Sequence, residues 1–346
     1  MPAEWEPHQA TWIAWPHNRS DWPGKFAAIP WVYAEMVRHL SRAERVEIVV
    51  KNAAEETSAR QVLKRAGVSS KNIRFHRWLT NRVWTRDSGP IFVRREIANN
   101  PVAITNWRFN AWAKYSDWKL DNQISKRIAK KLKLREFSAN VQVKGKRHHV
   151  VLEGGSIDVN GQGLMLATEE CLLSKVQQRN PGMTREGLES VFADYLGVKK
   201  TIWLNQGIVG DDTHGHVDDI SRFVAPDTVL TAVETRRGDR NYEPLQENLR
   251  RLRAATDLEG HKLQIVELPL PGPVVFEGRR LPASYANFYV ANNLVLVPTF
   301  NDPQDRVALN ILGSVFSGRD VVGIYCGDFI WGLGAIHCAT QQQPAG

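Results

Sequence analysis

The chain has 346 residues, 42% of them hydrophobic and 24% charged, an ordinary globular composition with ample core. No run approaches the roughly 18 apolar residues of a membrane span, and Met1-Pro2-Ala3-Glu4-Trp5-Glu6 carries neither the basic nor the apolar part of a secretion signal. The net charge of +8 invites a nucleic-acid reading, while three cysteines (Cys171, Cys326 and Cys338) are too sparse and odd a set for a disulfide scaffold and point to a reducing, cytoplasmic setting.

Trp5, Trp12, Trp15 and Trp22, set among prolines and histidines, predict a strand followed by a long ordered loop. Pro30 opens a helix to about Leu40, and Arg45 to Val50 reads as a strand. A helix over roughly 53–66, with Ala59, Val62, Leu63 and Ala66 inward, ends at Gly67 before a strand over 72–76. A helix over roughly 119–134 precedes a strand from His149 to Leu152. Much of the excess charge lies in this helix, between Lys126 and Lys133, and in Lys144-Gly145-Lys146-Arg147. Ile124, Ile128 and Leu132 recur every fourth residue, which puts the helix lysines on an outer face. No aromatic residues interleave with them, so no nucleic-acid partner is expected. Thr184 caps a helix carrying Leu188, Val191, Phe192 and Tyr195, stopped by Gly197 before a strand over 201–204. Leu245, Leu249 and Leu252 mark the next helix, ahead of a strand over 263–268. Val307, Ile311, Leu312 and Val315 mark the last, ahead of a strand over 320–324.

From the helix over 53–66 onward, helix-then-strand units thus recur five times at a spacing of roughly 60 residues. Further strand-like segments pad them at 163–167, 228–232, 287–290 and 294–297, the last two flanking an Asn292-Asn293 turn. The fold class is α/β, and repeats of this length imply radial repetition of a small strand-helix-strand unit rather than one open sheet. No linker or composition break divides residues 1–346, which read as a single domain.

Four motifs carry chemistry, and three of them fall a short way past a predicted strand: Trp84-Thr85-Arg86-Asp87-Ser88-Gly89-Pro90, the segment Asp211 to Asp219, and Cys338. The fourth, Glu153-Gly154-Gly155, follows a strand directly. Loops at one end of α/β units hold such groups at a common mouth. Each motif also has a plain structural reading. Asp87 beside Arg86 could be a surface ion pair, and Glu153 could close a strand end. His214 and His216 with neighbouring aspartates could bind zinc. Cys171 and Cys326 read as packed thiols. Gly332 and Gly334, just before Cys338, let the backbone bend and admit a ligand. One thiol, one histidine and one carboxylate would suit an acyl-transfer hydrolase. The additional carboxylates suit a cationic electrophile instead, because a planar guanidinium offers five N–H donors that aspartates accept in pairs.

These blocks resemble those of the agmatine deiminase family, the group that also contains bacterial peptidylarginine deiminases. The likeness runs nearly end to end, from Met1-Pro2-Ala3-Glu4-Trp5-Glu6-Pro7-His8 through Phe109-Asn110-Ala111-Trp112, Thr168-Glu169-Glu170-Cys171-Leu172-Leu173 and Gly215-His216-Val217-Asp218 to Ile336-His337-Cys338-Ala339-Thr340. The resemblance implies a five-bladed α/β propeller (pentein). It implies Cys338 as nucleophile, His216 as general acid/base, Asp87 and Asp218 as guanidinium-binding carboxylates, and Glu153 as the group that orients the histidine and contacts substrate. Trp84 would lie near the substrate channel, and Gly334 would border the substrate. The implied reaction is hydrolysis of a small cationic guanidino compound without metal or cofactor, agmatine first and peptidylarginine or another guanidino compound as alternatives, in a chain that is often a homodimer. An amidinotransferase on the same scaffold is a further alternative. Thr85, His214, Leu333 and Ala335 depart from the residues usual in the family.

Overall fold

A computed structural model describes residues 1–95, 101–143 and 145–346, so Lys144 of the basic run lies outside the described residues. Helix positions follow local chemistry. In Ile29–Ala43 the early proline supplies a preset φ, and the face formed by Ile29, Tyr33, Met36, Val37 and Leu40 is buried. Ala53–Arg65 is capped by Asn52, whose side chain accepts the Glu55 N–H, with Glu55 and Glu56 at the positive end and Lys64 and Arg65 at the negative end. Thr184 caps Arg185–Leu196 in the same manner, and Gly197 ends it at φ 71°.

Five helices each join two parallel strands. The pairs are His8–Ala14 with Arg45–Val50, Val102–Asn106 with Glu136–Ser138, Leu164–Thr168 with Lys200–Leu204, Thr228–Val233 with Gln264–Pro269, and Leu294–Thr299 with Asp320–Tyr325. On its other edge, the first strand of each pair takes an antiparallel neighbour. In sequence order those neighbours are Gln341–Pro344, Ile91–Arg94, Asp158–Val159, Ser221–Ala225 and Tyr289–Ala291. The first sheet adds a fourth strand, Ile73–Arg77, through the helix Ala53–Arg65. The α/β expectation and the recurring unit therefore hold, except that the first copy is built on Ile29–Ala43 and Arg45–Val50, while the expected 53–66 helix and 72–76 strand form the addition to that sheet.

Two sequence expectations do not. The second unit's strand is Glu136–Ser138, not His149 to Leu152. His149 ends a hairpin between Asn140–Val143 and Lys146–His149, and Val151 makes only an isolated bridge to Arg108. Val150, Val151 and Leu152 are apolar because they pack in a core, whereas the true strand exposes Phe137 and carries no apolar signal. In the last helix, Gln304–Val315, Val307 is exposed and the buried face is Ala308 and Leu312. The lysine-rich helix Ile124–Leu132 does bury Ile124, Ile128 and Ala129 and turns its lysines outward.

Three buried clusters back the loops at issue. The largest gathers Trp12, Trp22, Tyr33, Trp84 and Phe329 together with Cys338. Trp84 packs on Trp22 at 5.6 Å and on Phe329 at 5.8 Å between ring centres, a contact worth about 0.5–1.5 kcal/mol beyond area burial for such pairs. These rings hold the Trp84–Gly89 loop against the segment that leads to Cys338. The second cluster lies behind Glu153 and includes Cys171; the third, with Val217 and Ile220, lies behind His216.

Candidate active site

Asp87 sits in the one-turn helix Thr85–Ser88, whose Thr85 hydroxyl ties it to two other segments through the carbonyls of Trp12 (3.2 Å) and Ala339 (2.8 Å). Arg86 points away from Asp87 and is not at the surface. Its guanidinium donates to Gln342 Oε1 (2.6 Å) and Glu4 Oε2 (3.0 Å). Asp87 itself accepts from the Trp112 indole N–H (2.9 Å) and from the backbone N–H of Gly155 (3.0 Å). Trp112 is aimed there by three successive left-handed residues, Ala111, Trp112 and Ala113, a conformation that costs roughly 1–3 kcal/mol per non-glycine residue.

Glu153 and His216 are fully buried. Glu153 Oε1 accepts from Arg179 Nε at 3.1 Å, a buried ion pair, while Oε2 stands 3.8 Å from His216 Nε2. His216 Nδ1 lies 3.8 Å from Asp87 Oδ1 and 4.0 Å from Asp218 Oδ1. Neither ring nitrogen has a hydrogen-bond partner among the described residues, so the imidazole is held by three carboxylates without being tied to any of them. Asp211 shapes the loop behind it, accepting the N–H groups of Thr213, Gly215 and His216. Gly155 is obligatory here. A Cβ on it would lie 2.6 Å from His216 Nδ1, 2.9 Å from Asp87 Oδ1 and 3.0 Å from Asp218 Oδ2.

The His-x-His zinc reading does not survive this geometry. His214, at φ 64°, turns to Ser174 Oγ (3.3 Å) and Glu170 Oε1 (3.7 Å), while His216 faces the interior. Cys171 is packed as expected, but its neighbours are Glu153 and His216 rather than an inert core.

Cys338 follows the short helix Phe329–Gly332, which ends on Leu333 at φ 67°. Glycine takes that conformation without cost, so the leucine departs from the usual family residue at a position where the backbone keeps the glycine-like shape. Cys338 Sγ lies 3.6 Å from Asp218 Oδ2 and 3.1 Å from Asn287 Nδ2. Asp218 also meets His337 Nδ1 at 2.7 Å, and His337 Nε2 meets Glu4 Oε2 at 2.8 Å. Sequence reasoning missed Arg179, Asn287, His337 and Glu4. Two of these lie within the quoted blocks, Glu4 at the start and His337 beside the thiol, and that proximity was the available signal.

The charges are strongly coupled. Burial, then Asp218, Asp219 and Asp87, push the Cys338 thiol well above its ordinary range. Burial would discharge His216, but Asp87 foremost, with Cys171 and Glu153, raises it well above the ordinary histidine value. Burial and the neighbouring Asp218 and Glu153 lift Asp87 to about 6, against the His216 charge. Burial opposes ionisation of Glu153, yet Arg179 and His216 bring it to about 2. Asp218 is likewise held low against burial by His337 and His216. The apo site therefore pairs a neutral thiol with a charged imidazole, inside a wall of acceptors that a cation would complete.

Cys338, Asp87, Trp84 and Gly334 line a cavity of about 300 Å³, with His216, Glu153 and Asp218 buried behind them. Farther out, the same cavity is bordered by Asp21, Arg82, Tyr115, Asp212 and Arg279. Asp21 pairs with Arg82, and its Oδ2 has no partner among the described residues. Burial lifts its carboxyl to about 7 against the Arg82 charge. Asp212 is occupied by Lys114 (2.5 Å), Tyr115 (2.6 Å) and Arg279 (3.4 Å).

Fold and site together define a hydrolase of the guanidine-modifying class. The profile of the Porphyromonas-type peptidyl-arginine deiminases matches residues 1–344. The chain belongs to that family. An agmatine deiminase of Medicago truncatula is 37% identical over all of this chain and 96% of its own length. One from Stutzerimonas stutzeri is 36% identical, covering 100% of this chain and 95% of its own. Among solved structures, the agmatine deiminase of Enterococcus faecalis superposes with a TM-score of 0.89 at 30% identity, over 99% of this chain and 95% of that one. An agmatine deiminase from C. jejuni with substrate bound gives 0.86 at 29% identity, over 100% and 96%.

Proposed function

We propose that this chain hydrolyses agmatine to N-carbamoylputrescine and ammonia through a covalent intermediate on Cys338. The observation that carries the reading is the convergence of one thiol, one charged imidazole and the carboxylates Asp87, Asp218 and Glu153 at the buried end of one cavity. Asp87 and Asp218 accept the guanidinium N–H groups and set its carbon before Sγ. The arriving cation offsets the carboxylates that hold the thiol neutral, and the Cys338 proton passes to solvent. The thiolate attacks the guanidinium carbon, giving a neutral tetrahedral adduct. His216 gives its proton to one nitrogen, the C–N bond breaks, and ammonia departs from a thiouronium cation. Neutral His216 then takes a proton from water, and hydroxide adds to the same carbon. As the C–S bond breaks the hydroxyl proton passes to sulfur, releasing the ureido product and the neutral thiol with His216 charged again. Glu153, fixed by Arg179, keeps the imidazole charged and aligned. Trp84 and Gly334 wall the alkyl chain. Asp21, with one unpartnered oxygen, suits the ammonium end of agmatine.

A second reading is favoured by Arg82 and Arg279 at the same cavity, which suit a guanidino compound ending in a carboxylate or a peptide. The test is a panel of agmatine, arginine, 4-guanidinobutanoate and a C-terminal arginine peptide, scored by ureido product, with Cys338→Ala as control. Agmatine should give the highest kcat/KM and Cys338→Ala none. No turnover of agmatine by wild type would refute the reading. We further propose that the five sheets are the blades of a single propeller domain, that the chain assembles as a homodimer, and that it works in the cytoplasm. Three unpaired cysteines support the last point. No described helix is long and apolar enough to cross a membrane.

A further inference from the structure

Asn287 stands at the thiol with every atom of its carboxamide engaged. It is almost wholly buried. Its Oδ1 accepts the backbone N–H groups of His337 (3.0 Å) and Cys338 (3.4 Å). Those two donors leave no ambiguity about which end is oxygen, because an NH₂ group in that place would face two N–H groups. Nδ2 is thereby turned the other way, donating to Asp219 Oδ1 at 2.9 Å and to Cys338 Sγ at 3.1 Å. Among the described residues it is the one side-chain N–H within hydrogen-bond distance of the sulfur.

The electrostatics make that donor matter. The carboxyl groups nearest the sulfur, Asp218, Asp219 and Asp87, oppose a negative sulfur when ionised, and against burial and these groups the backbone amide of Ala335 and the Asn287 carboxamide favour it. A neutral N–H fixed at the sulfur stabilises the thiolate without adding a cation that would repel the guanidinium. A lysine or arginine there would do the first and spoil the second. Asp219 completes the arrangement. Burial, then Asp218 and Asp211, raise its carboxyl well above the ordinary range, which favours the neutral form, so anchoring Nδ2 adds less negative charge beside the sulfur.

We propose that Asn287 is a catalytic residue of this site, its carboxamide N–H stabilising the Cys338 thiolate while Asp219 and two backbone amides hold it in that orientation. The inference rests on Cys338 being the nucleophile of the proposed reaction. It does not depend on which guanidino compound is bound.

The test is the pH dependence of iodoacetamide alkylation at Cys338, followed by peptide mass spectrometry to separate it from Cys171 and Cys326, alongside kcat and KM for agmatine. Asn287→Asp keeps the acceptor for the two backbone amides and removes both N–H donors. Asn287→Ala removes the donor without adding charge. Both should lower kcat by roughly 10²-fold with KM within threefold, as for loss of one fixed donor to a developing anion. Both should lower the alkylation rate at pH 8 at least tenfold, with the aspartate variant lower than the alanine. Asp219→Ala leaves the backbone contacts of Asn287 in place, so it reports on the proposal even where the other two variants fail to fold, and should move both readouts the same way by a smaller factor. An alkylation profile unchanged in any variant of native Tm would overturn the proposal, whatever happened to turnover. A shifted profile in a protein that never turns over agmatine would support the role of Asn287 and sink the substrate reading instead.

Discussion

Gly155→Ala isolates the geometry of the site from its chemistry. No charge, proton or hydrogen bond is removed, and the backbone of Gly155 is not left-handed, so alanine meets no conformational barrier. What it meets is three functional atoms at once, at 2.6, 2.9 and 3.0 Å from the new Cβ. Carbon packs against nitrogen or oxygen at about 3.5 Å, so His216 must retreat by nearly an ångström and the two aspartates by about half that. The aspartates have little slack, since Asp87 is fixed by Trp112 and the residue 155 amide and Asp218 by His337, and the fully buried His216 can retreat only out of its place among the carboxylates. A displacement near 1 Å costs on the order of 10²-fold in rate, and overpacking costs about 1–3 kcal/mol in stability. The expected result is a kcat lower by about 10²-fold with a Tm a few degrees down, measured by ammonia release at saturating agmatine and by thermal melting. Gly313→Ala, where a Cβ meets nothing within 4 Å, serves as the control. A Gly155→Ala enzyme within threefold of wild-type kcat would refute the claim that these three side chains act as one rigid set.

Replacing Arg179 by leucine leaves Glu153 buried without its counter-ion, and denaturant titration should show a loss of about 3–5 kcal/mol. Glu153 is depressed to about 2 in the fold, so its contribution to stability is present above its ordinary value near 4.5 and is lost as pH falls through about 2. Acid unfolding should therefore steepen between those limits and flatten in Glu153→Gln; identical acid limbs would contradict the pair. His216 has the opposite sign: raised in the fold, it stabilises fully below about pH 6.5 and less as pH climbs through its folded value. His216→Gln should thus narrow the stability gap to wild type at alkaline pH, which melting curves at several pH values would detect. In the free protein, alkylation of Cys338 should still be accelerating above pH 9, and a plateau by pH 8 would mean that the carboxylates do not hold the thiol neutral. Chelators should leave turnover intact, because His214 faces Glu170 and Ser174 rather than the interior; a loss reversed by zinc would restore the metal reading.

The elements that were legible in the chain are those with local causes. Thr184 and Gly197 bracket their helix by capping, and the Asn292-Asn293 turn joins two strands whose apolar runs stand out. The strand Glu136–Ser138 was not legible, because its pairing with Val102–Asn106 is decided by the sheet and not by its own side chains. The site divides in the same way. Cys338, His216, Asp87, Asp218 and Glu153 carry titratable chemistry that looks out of place in loops. Arg179 and Asn287 look like ordinary polar residues, and only contacts across 26 and 51 positions reveal what they touch. The left-handed run at Ala111, Trp112 and Ala113 contains no glycine to announce it.

The pairing of Gln341–Pro344 with His8–Ala14 makes the first sheet a closure between distant parts of the chain. Trp12 reaches Gln343 across 331 positions, and Glu4 reaches His337 across 333. Such contacts form late, since the loop entropy must be met before they give anything back. Cys338 lies just before that C-terminal strand, so its neighbours assemble when these long-range contacts form and not before. During refolding, suppression of Cys338 alkylation should trail the recovery of helix and tryptophan signals. A partly folded chain exposes an ordinary thiol, and only the finished molecule surrounds it with the carboxylates that hold it neutral until a cation arrives.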